Sequence, residues 1–110
     1  SIFRRRLFDS GERITEFISA GCEAIFGYTT EELMDHSLWM SRVDAHDLET
    51  VVKPSWQRVR DNGRDSITYR FRHKDGDIRR IATRAIAYRD DNQQCWIITA
   101  IETAIEITDV

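Results

Sequence analysis

The sequence is poor in proline, lysine, cysteine and long apolar runs, and each shortage excludes a class of protein. Pro54 is its one proline, which removes polyproline and collagen-like organisation. Hydrophobic residues at 41% and charged residues at 32% also remove intrinsic disorder. Lys53 and Lys74 are its two lysines, and all basic residues together number 16 against 19 acids. The resulting charge of -3 leaves no positive excess to release counterions from a phosphate backbone, so no nucleic-acid partner is expected. Cys22 and Cys95 are far apart and form neither a CxxC site nor a disulfide framework, which points to a reducing, cytoplasmic setting. No apolar run approaches the ~20 residues of a membrane span. Arg4, Arg5 and Arg6 place charge where a signal peptide has its apolar stretch, and they read as a solvated strand end.

What remains is 110 residues, which at ~100 to 200 residues per domain is one unit. Turn residues divide it. Ile2 to Phe8 and Arg13 to Ile18 read as two strands joined by Asp9, Ser10, Gly11 and Glu12. Residues 19–27 read as a short helix with Ser19 as N-cap and Gly27 as terminator. Thr29-Thr30-Glu31-Glu32 fits a capping box opening a second short helix. From Asp44, the positions Leu48, Val51, Val52, Trp56 and Val59 keep helical spacing up to Gly63 and predict one longer helix. Pro54 inside it deletes a backbone donor, so a kink near Lys53 or a break is expected.

Ser66 to His73 alternates, with Ile67, Tyr69 and Phe71 on one side and Thr68, Arg70 and Arg72 on the other. Asp75-Gly76 turns it back onto Ile78 to Arg89, and Asp90, Asp91 and Asn92 lead into a last strand over Gln94 to Thr108. Two strands, a helical insertion and three strands describe an α+β domain with a five-stranded antiparallel sheet and helices on one face.

The run from Phe17 to Leu33, with Gly27-Tyr28-Thr29-Thr30-Glu31-Glu32-Leu33 at its end, resembles the opening of a PAS domain. Tyr69 to Gly76, containing Lys74-Asp75-Gly76, resembles the PAS strand pair hinged at Lys-Asp-Gly. The two motifs and the element order span nearly the whole chain. The resemblance implies sheet order 2-1-5-4-3 around a small cavity. It also implies a sensory or dimerising role in larger signalling proteins such as histidine kinases and diguanylate cyclases. Asp44-Ala45-His46-Asp47 departs from the family's His-Pro-Asp-Asp, although Asp44 can still cap the following helix. Glu106-Ile107-Thr108-Asp109 partly resembles the Asp-Ile-Thr exit into a linker.

Cofactor branches of the family can be checked by position. Leu38 stands where light-sensing flavin relatives carry their reactive cysteine, which disfavours covalent flavin chemistry. The long helix has no histidine between Leu48 and Asn62, which disfavours haem, and a noncovalent planar ligand stays open. His36, His46 and His73 fall in segments read as loops or strand ends and are expected to be solvated. Cys22 is either activated by a helix N-terminus or a small core filler, and packing is the simpler reading. Asp44, His46 and Asp47 form the one cluster with metal-ligating types, and helix capping explains it, so no metal is expected.

Phe26, Trp39, Val52, Trp56, Tyr69 and Phe71 are the cavity candidates, since their segments face one another across the expected interior. Tyr69 and the tryptophans carry polar groups that need a partner. A pocket lined this way suits a small aromatic or apolar metabolite. Relatives pair the acid at Glu31 or Glu32 with the base at Lys74, which implies a surface ion pair.

The leading expectation is a noncatalytic, ligand-binding sensory domain excised from a cytoplasmic signalling protein that is free to be membrane-anchored, with the output domain elsewhere in that chain. The alternative is a ligand-free homodimerisation module acting through the sheet face or terminal segments, for which exposed Ile78, Ile86, Tyr88 and Ile101 would argue. An enzyme would need a buried acid or histidine in the cavity, and Ile67 to Ile101 supplies none at an apolar-facing position.

Overall fold

A computed structural model describes residues 1–105, and the turn residues of the sequence set its element boundaries. Strands β1 (Ile2–Phe8) and β2 (Arg13–Ile18) pair antiparallel. Gly11 takes φ 92° in the turn between them, a conformation open to glycine without penalty, and its N–H donates to the Phe8 carbonyl at 2.9 Å. Arg4 opposes Phe17 while Arg5 opposes Thr15, so Glu16 is an extra residue that bulges β2.

Five helical segments follow: α1 (Cys22–Phe26), α2 (Thr30–Leu33), α3 (His36–Arg42), α4 (Ala45–Asp47) and α5 (Lys53–Asn62). Ser19 does not cap α1, contrary to expectation. That helix starts after Gly21 with no side-chain cap, and Ser19 Oγ instead accepts the Ile2 N–H at 2.8 Å, tying the start of β1 to the end of β2. The capping box at α2 forms in full, with both Thr29–Glu32 hydrogen bonds at 3.1 Å.

Helix α3 was not foreseen. Asp35 caps it by accepting the Ser37 N–H at 3.0 Å. The long helix breaks where Pro54 predicts. Proline has no N–H to give the Thr50 carbonyl, so the chain widens into a π turn over Leu48–Val52, and the Lys53 N–H reaches back to Leu48 before regular helix resumes.

β3 (Arg64–Arg72), β4 (Ile78–Asp90) and β5 (Cys95–Ile105) complete one antiparallel sheet of order β2-β1-β5-β4-β3. The α+β class, strand order and longer helix are those implied by the resemblance. The strand expected to reach Thr108 is described to Ile105, and the exit motif Glu106 to Asp109 lies outside the described residues.

The helices cover the inner face. Phe71 on β3 meets Phe26 edge-on at 4.8 Å and Tyr28 at 6.3 Å, and Leu33, Val43, Val52 and Ile81 close this core. Asp47 fastens the helical layer to β3. Its Oδ2 accepts from the Arg70 backbone N–H and Nε at 2.8 and 2.9 Å, and its Oδ1 accepts from Nη2 at 3.0 Å. The Arg70 guanidinium thereby holds the Asp47 carboxyl below the usual carboxylate range. Asp44 accepts the Asp47 N–H as cap and also meets Arg70, so both acids read as a possible metal cluster are spent on structure.

Candidate functional site

Between the helices and the inner sheet face lies a cavity of about 110 Å³. The helical side supplies Phe26, Leu33, Trp39, Val52 and Trp56, and the sheet supplies Phe3, Arg5, Ile67, Tyr69, Thr83 and Glu102. Five of the six expected cavity residues therefore line it. Phe71 does not, because it faces the Phe26–Tyr28 side of the core, where its ring is fully buried.

Glu102 is the feature that sequence reasoning missed. It is 5% exposed, and its Oε2 accepts the Tyr69 hydroxyl at 2.9 Å and the Thr83 hydroxyl at 3.3 Å. Burial is the main force raising its pKa, while Tyr69 and the charge of Arg5 pull the other way. Tyr69 is pushed well above its ordinary value, first by burial and then by the neighbouring Glu102 charge. Glu102 follows directly on Ile101, so, contrary to expectation, the cavity does contain a buried carboxyl group.

Its position follows from register. On β5 the inward residues Ile98, Ala100 and Glu102 oppose Ala87, Ala85 and Thr83, which sends the isoleucine-rich set Ile97, Ile101 and Ile105 to the other face. Alternation read for hydrophobicity alone selects the wrong face of this strand.

The sign of the Glu102 shift makes a prediction. A carboxyl group with a raised folded-state value favours the fold below its ordinary value of 4.5, and that contribution is lost as pH rises toward the folded value. Glu102→Gln keeps an oxygen for the Tyr69 hydroxyl and removes the titration. Urea unfolding is expected to show wild type losing up to ~1.4 kcal/mol relative to the variant per pH unit across that window. A variant less stable than wild type at pH 7 would mean that the carboxylate is fully compensated.

At the rim, His36 stacks on Trp39 with centroids 5.4 Å apart and meets Trp56 at 5.9 Å. It is therefore not the solvated loop histidine expected: it begins α3 and is half-buried. Burial, then the charges of Arg5 and Arg13, lower its pKa to about 3. The neutral ring accepts from Arg13 Nη1 through Nε2 at 3.0 Å, and the Arg13 guanidinium lies 4.7 Å from the centroid of the Trp56 ring. The signal for this arrangement was Asp35, a helix cap directly before His36 and three residues before Leu38.

The remaining candidates lie outside the cavity or play other parts. Lys74 pairs with Glu32 at 3.2 Å, whereas Glu31 makes no pair with it. Both partners are solvent-facing, and the Glu32 carboxyl sits below its usual range because of the Thr29 N–H first and Lys74 second. Cys22 is fully buried, its thiol donates to the Tyr28 carbonyl at 3.6 Å, and burial raises its pKa, so it is core filler and not an activated thiol. Ile78, Ile86, Tyr88 and Ile101 are exposed by 60%, 54%, 46% and 53% on the sheet face away from the helices. Among the described residues no three metal-ligating side chains converge, and no helix is long and apolar enough to cross a membrane.

The family model described as PAS fold matches residues 15–101. The chain belongs to the PAS fold family. Among solved structures it is similar to the N-terminal domain of a diguanylate cyclase with PAS/PAC sensor from Marinobacter aquaeolei, with 19% identity, 94% of each chain covered and a TM-score of 0.75. It is similar also to the PAS-B domain of Drosophila melanogaster Cycle with bound ethylene glycol, with 19% identity, 94% of this chain and 99% of that one covered, and a TM-score of 0.72. A sensory box histidine kinase/response regulator from Burkholderia thailandensis matches at 16% identity over 94% of this chain and 76% of that one, with a TM-score of 0.63. No curated protein sequence matches the chain.

Proposed function

We propose that the 110 residues form a single noncatalytic sensory domain of a larger, cytoplasmic signalling chain, in which a small ligand in the cavity regulates a linked output domain of histidine kinase or diguanylate cyclase type. The observation that carries this reading is the cavity itself, walled by half-buried Trp39 and Trp56 and containing the Glu102–Tyr69 pair. Such a mixture of aromatic walls and a few convergent polar groups suits recognition of a small organic molecule. Similarity to the input domain of a cyclase and to a sensory box kinase supports the choice of output.

A ligand acts here by binding two arrangements of the domain unequally. Glu102 is placed to feel it, since it lies on β5, the strand through which the chain continues toward its C-terminus. A noncatalytic role is supported by Glu102, the buried acid, being already engaged by the Tyr69 and Thr83 hydroxyl groups. Native mass spectrometry with an absorbance scan of protein purified from its own host tests the reading. A stoichiometric bound mass is expected; a chain free of small molecules in every preparation would contradict it.

The exposed Ile78, Ile86, Tyr88 and Ile101 favour a second reading, a homodimer formed through the outer sheet face. Sedimentation at micromolar concentration would then show a dimer that Ile101→Asp converts to monomer.

A further inference from the structure

We infer that the ligand of this cavity is an organic anion, a small carboxylate with an apolar body of about one ring, whose charged end meets Arg5, Arg13 and Arg60; the inference rests on reading the cavity as a ligand site. Five charged residues line the cavity: these three arginines, Asp65 and Glu102. The two acids are committed elsewhere. Asp65 accepts from Ser55 Oγ at 2.7 Å and pairs with Arg58 at 2.9 Å, and Glu102 holds Tyr69 and Thr83.

The three arginines have neutral partners instead. Arg5 donates to Thr15 Oγ1 at 3.3 Å, Arg13 to His36 at 3.0 Å, and Arg60 to Gln57 at 2.9 Å. Among the described residues no carboxylate lies within ion-pair distance of any of them, although Arg58 beside the cavity has one in Asp65. Arg60 Nε is buried with no partner.

The arginines also press on one another. Burial, partly offset by Glu102 and reinforced by Arg13, brings Arg5 down to about 10, and Arg13 is lowered by burial and then by Arg60. Like charges gathered half out of water are costly, and an incoming carboxylate relieves that cost through charge-assisted hydrogen bonds. A cationic ligand would add to the repulsion. The cavity, at about 110 Å³, is smaller than the ~150 Å³ engineered cavity that binds benzene, which holds the apolar part to one ring or a short chain.

Titration of the purified domain with benzoate, benzyl alcohol and inorganic phosphate, followed by tryptophan fluorescence and indole N–H shifts, tests the inference. Benzoate is expected to bind about tenfold more tightly than its neutral counterpart, the equivalent of one charge-assisted contact. Arg13→Gln with Arg60→Gln, both at the rim, is expected to abolish that preference, so that benzoate and benzyl alcohol bind the double variant with equal affinity, while the far-ultraviolet dichroism shows that the variant is folded. Benzyl alcohol binding as tightly as benzoate, or a preference that survives in the double variant, overturns the anion inference and leaves the ligand reading intact. Phosphate competing as well as benzoate overturns it too, because the cavity would then play no part. If neither ring compound binds and no mass co-purifies, both readings fall together.

Discussion

Phe71→Ala is expected to lower the unfolding free energy by about 3–5 kcal/mol, the range for removing a fully buried aromatic ring. The ring is 0% exposed and packs edge-on against Phe26 and Tyr28, and an isolated bridge pairs its backbone with Val43. The hole would sit between β3 and the helices, where α1 and α3 are each anchored by other contacts and have little freedom to collapse inward. Urea denaturation checks the value. A cost below about 1.5 kcal/mol would show that the neighbours refill the space. Since Phe71 does not line the cavity, the folded variant is expected to keep its ligand affinity, which separates core from site among residues of similar composition.

Gly27→Ala is the second large effect. Gly27 ends α1 at φ 82°, and a Cβ there would lie 2.5 to 2.9 Å from three atoms of the His73 ring. The left-handed backbone costs an alanine roughly 1–2 kcal/mol. The ring cannot easily yield, because the His73 N–H is bound to Asp77, Nδ1 accepts the Asp75 N–H, and Lys74 donates to the Phe26 carbonyl from the same turn. Overpacking adds ~1–3 kcal/mol, so a total of about 2–4 kcal/mol is expected. Gly11→Ala is the matched control: φ is 92°, but no atom lies within 4 Å of the added methyl group, so the backbone cost stands without the clash. Equal losses at the two positions would show that the contact with His73 carries no weight.

Local chemistry made much of this fold legible. Gly11, Gly27, Gly63 and Gly76 all adopt positive φ where the sequence places turns or helix ends, and Pro54 marks the widened turn before α5. Helix α3 was hidden because Asp35-His36-Ser37 reads as a polar loop until Asp35 is taken as a cap. Tertiary register was harder. Glu102 faces inward because Ala85 and Thr83 on β4 leave room for it, while more hydrophobic neighbours on the same strand face out, so burial and hydrophobicity disagree there. The arginine group was illegible for a different reason: Arg5, Arg13 and Arg60 come from β1, β2 and α5, and no spacing in the sequence connects them.

The central claim is that the interior of this PAS domain is a ligand site. Its most direct test is the ¹⁵N–¹H spectrum of protein recovered from its own host, compared before and after unfolding, dialysis and refolding to remove small molecules. The indole signals of Trp39 and Trp56 and the amides of Tyr69, Thr83 and Glu102 are expected to move, while the indole of Trp96, covered by Arg89 away from the cavity, stays in place. Superimposable spectra with no released compound would contradict the claim.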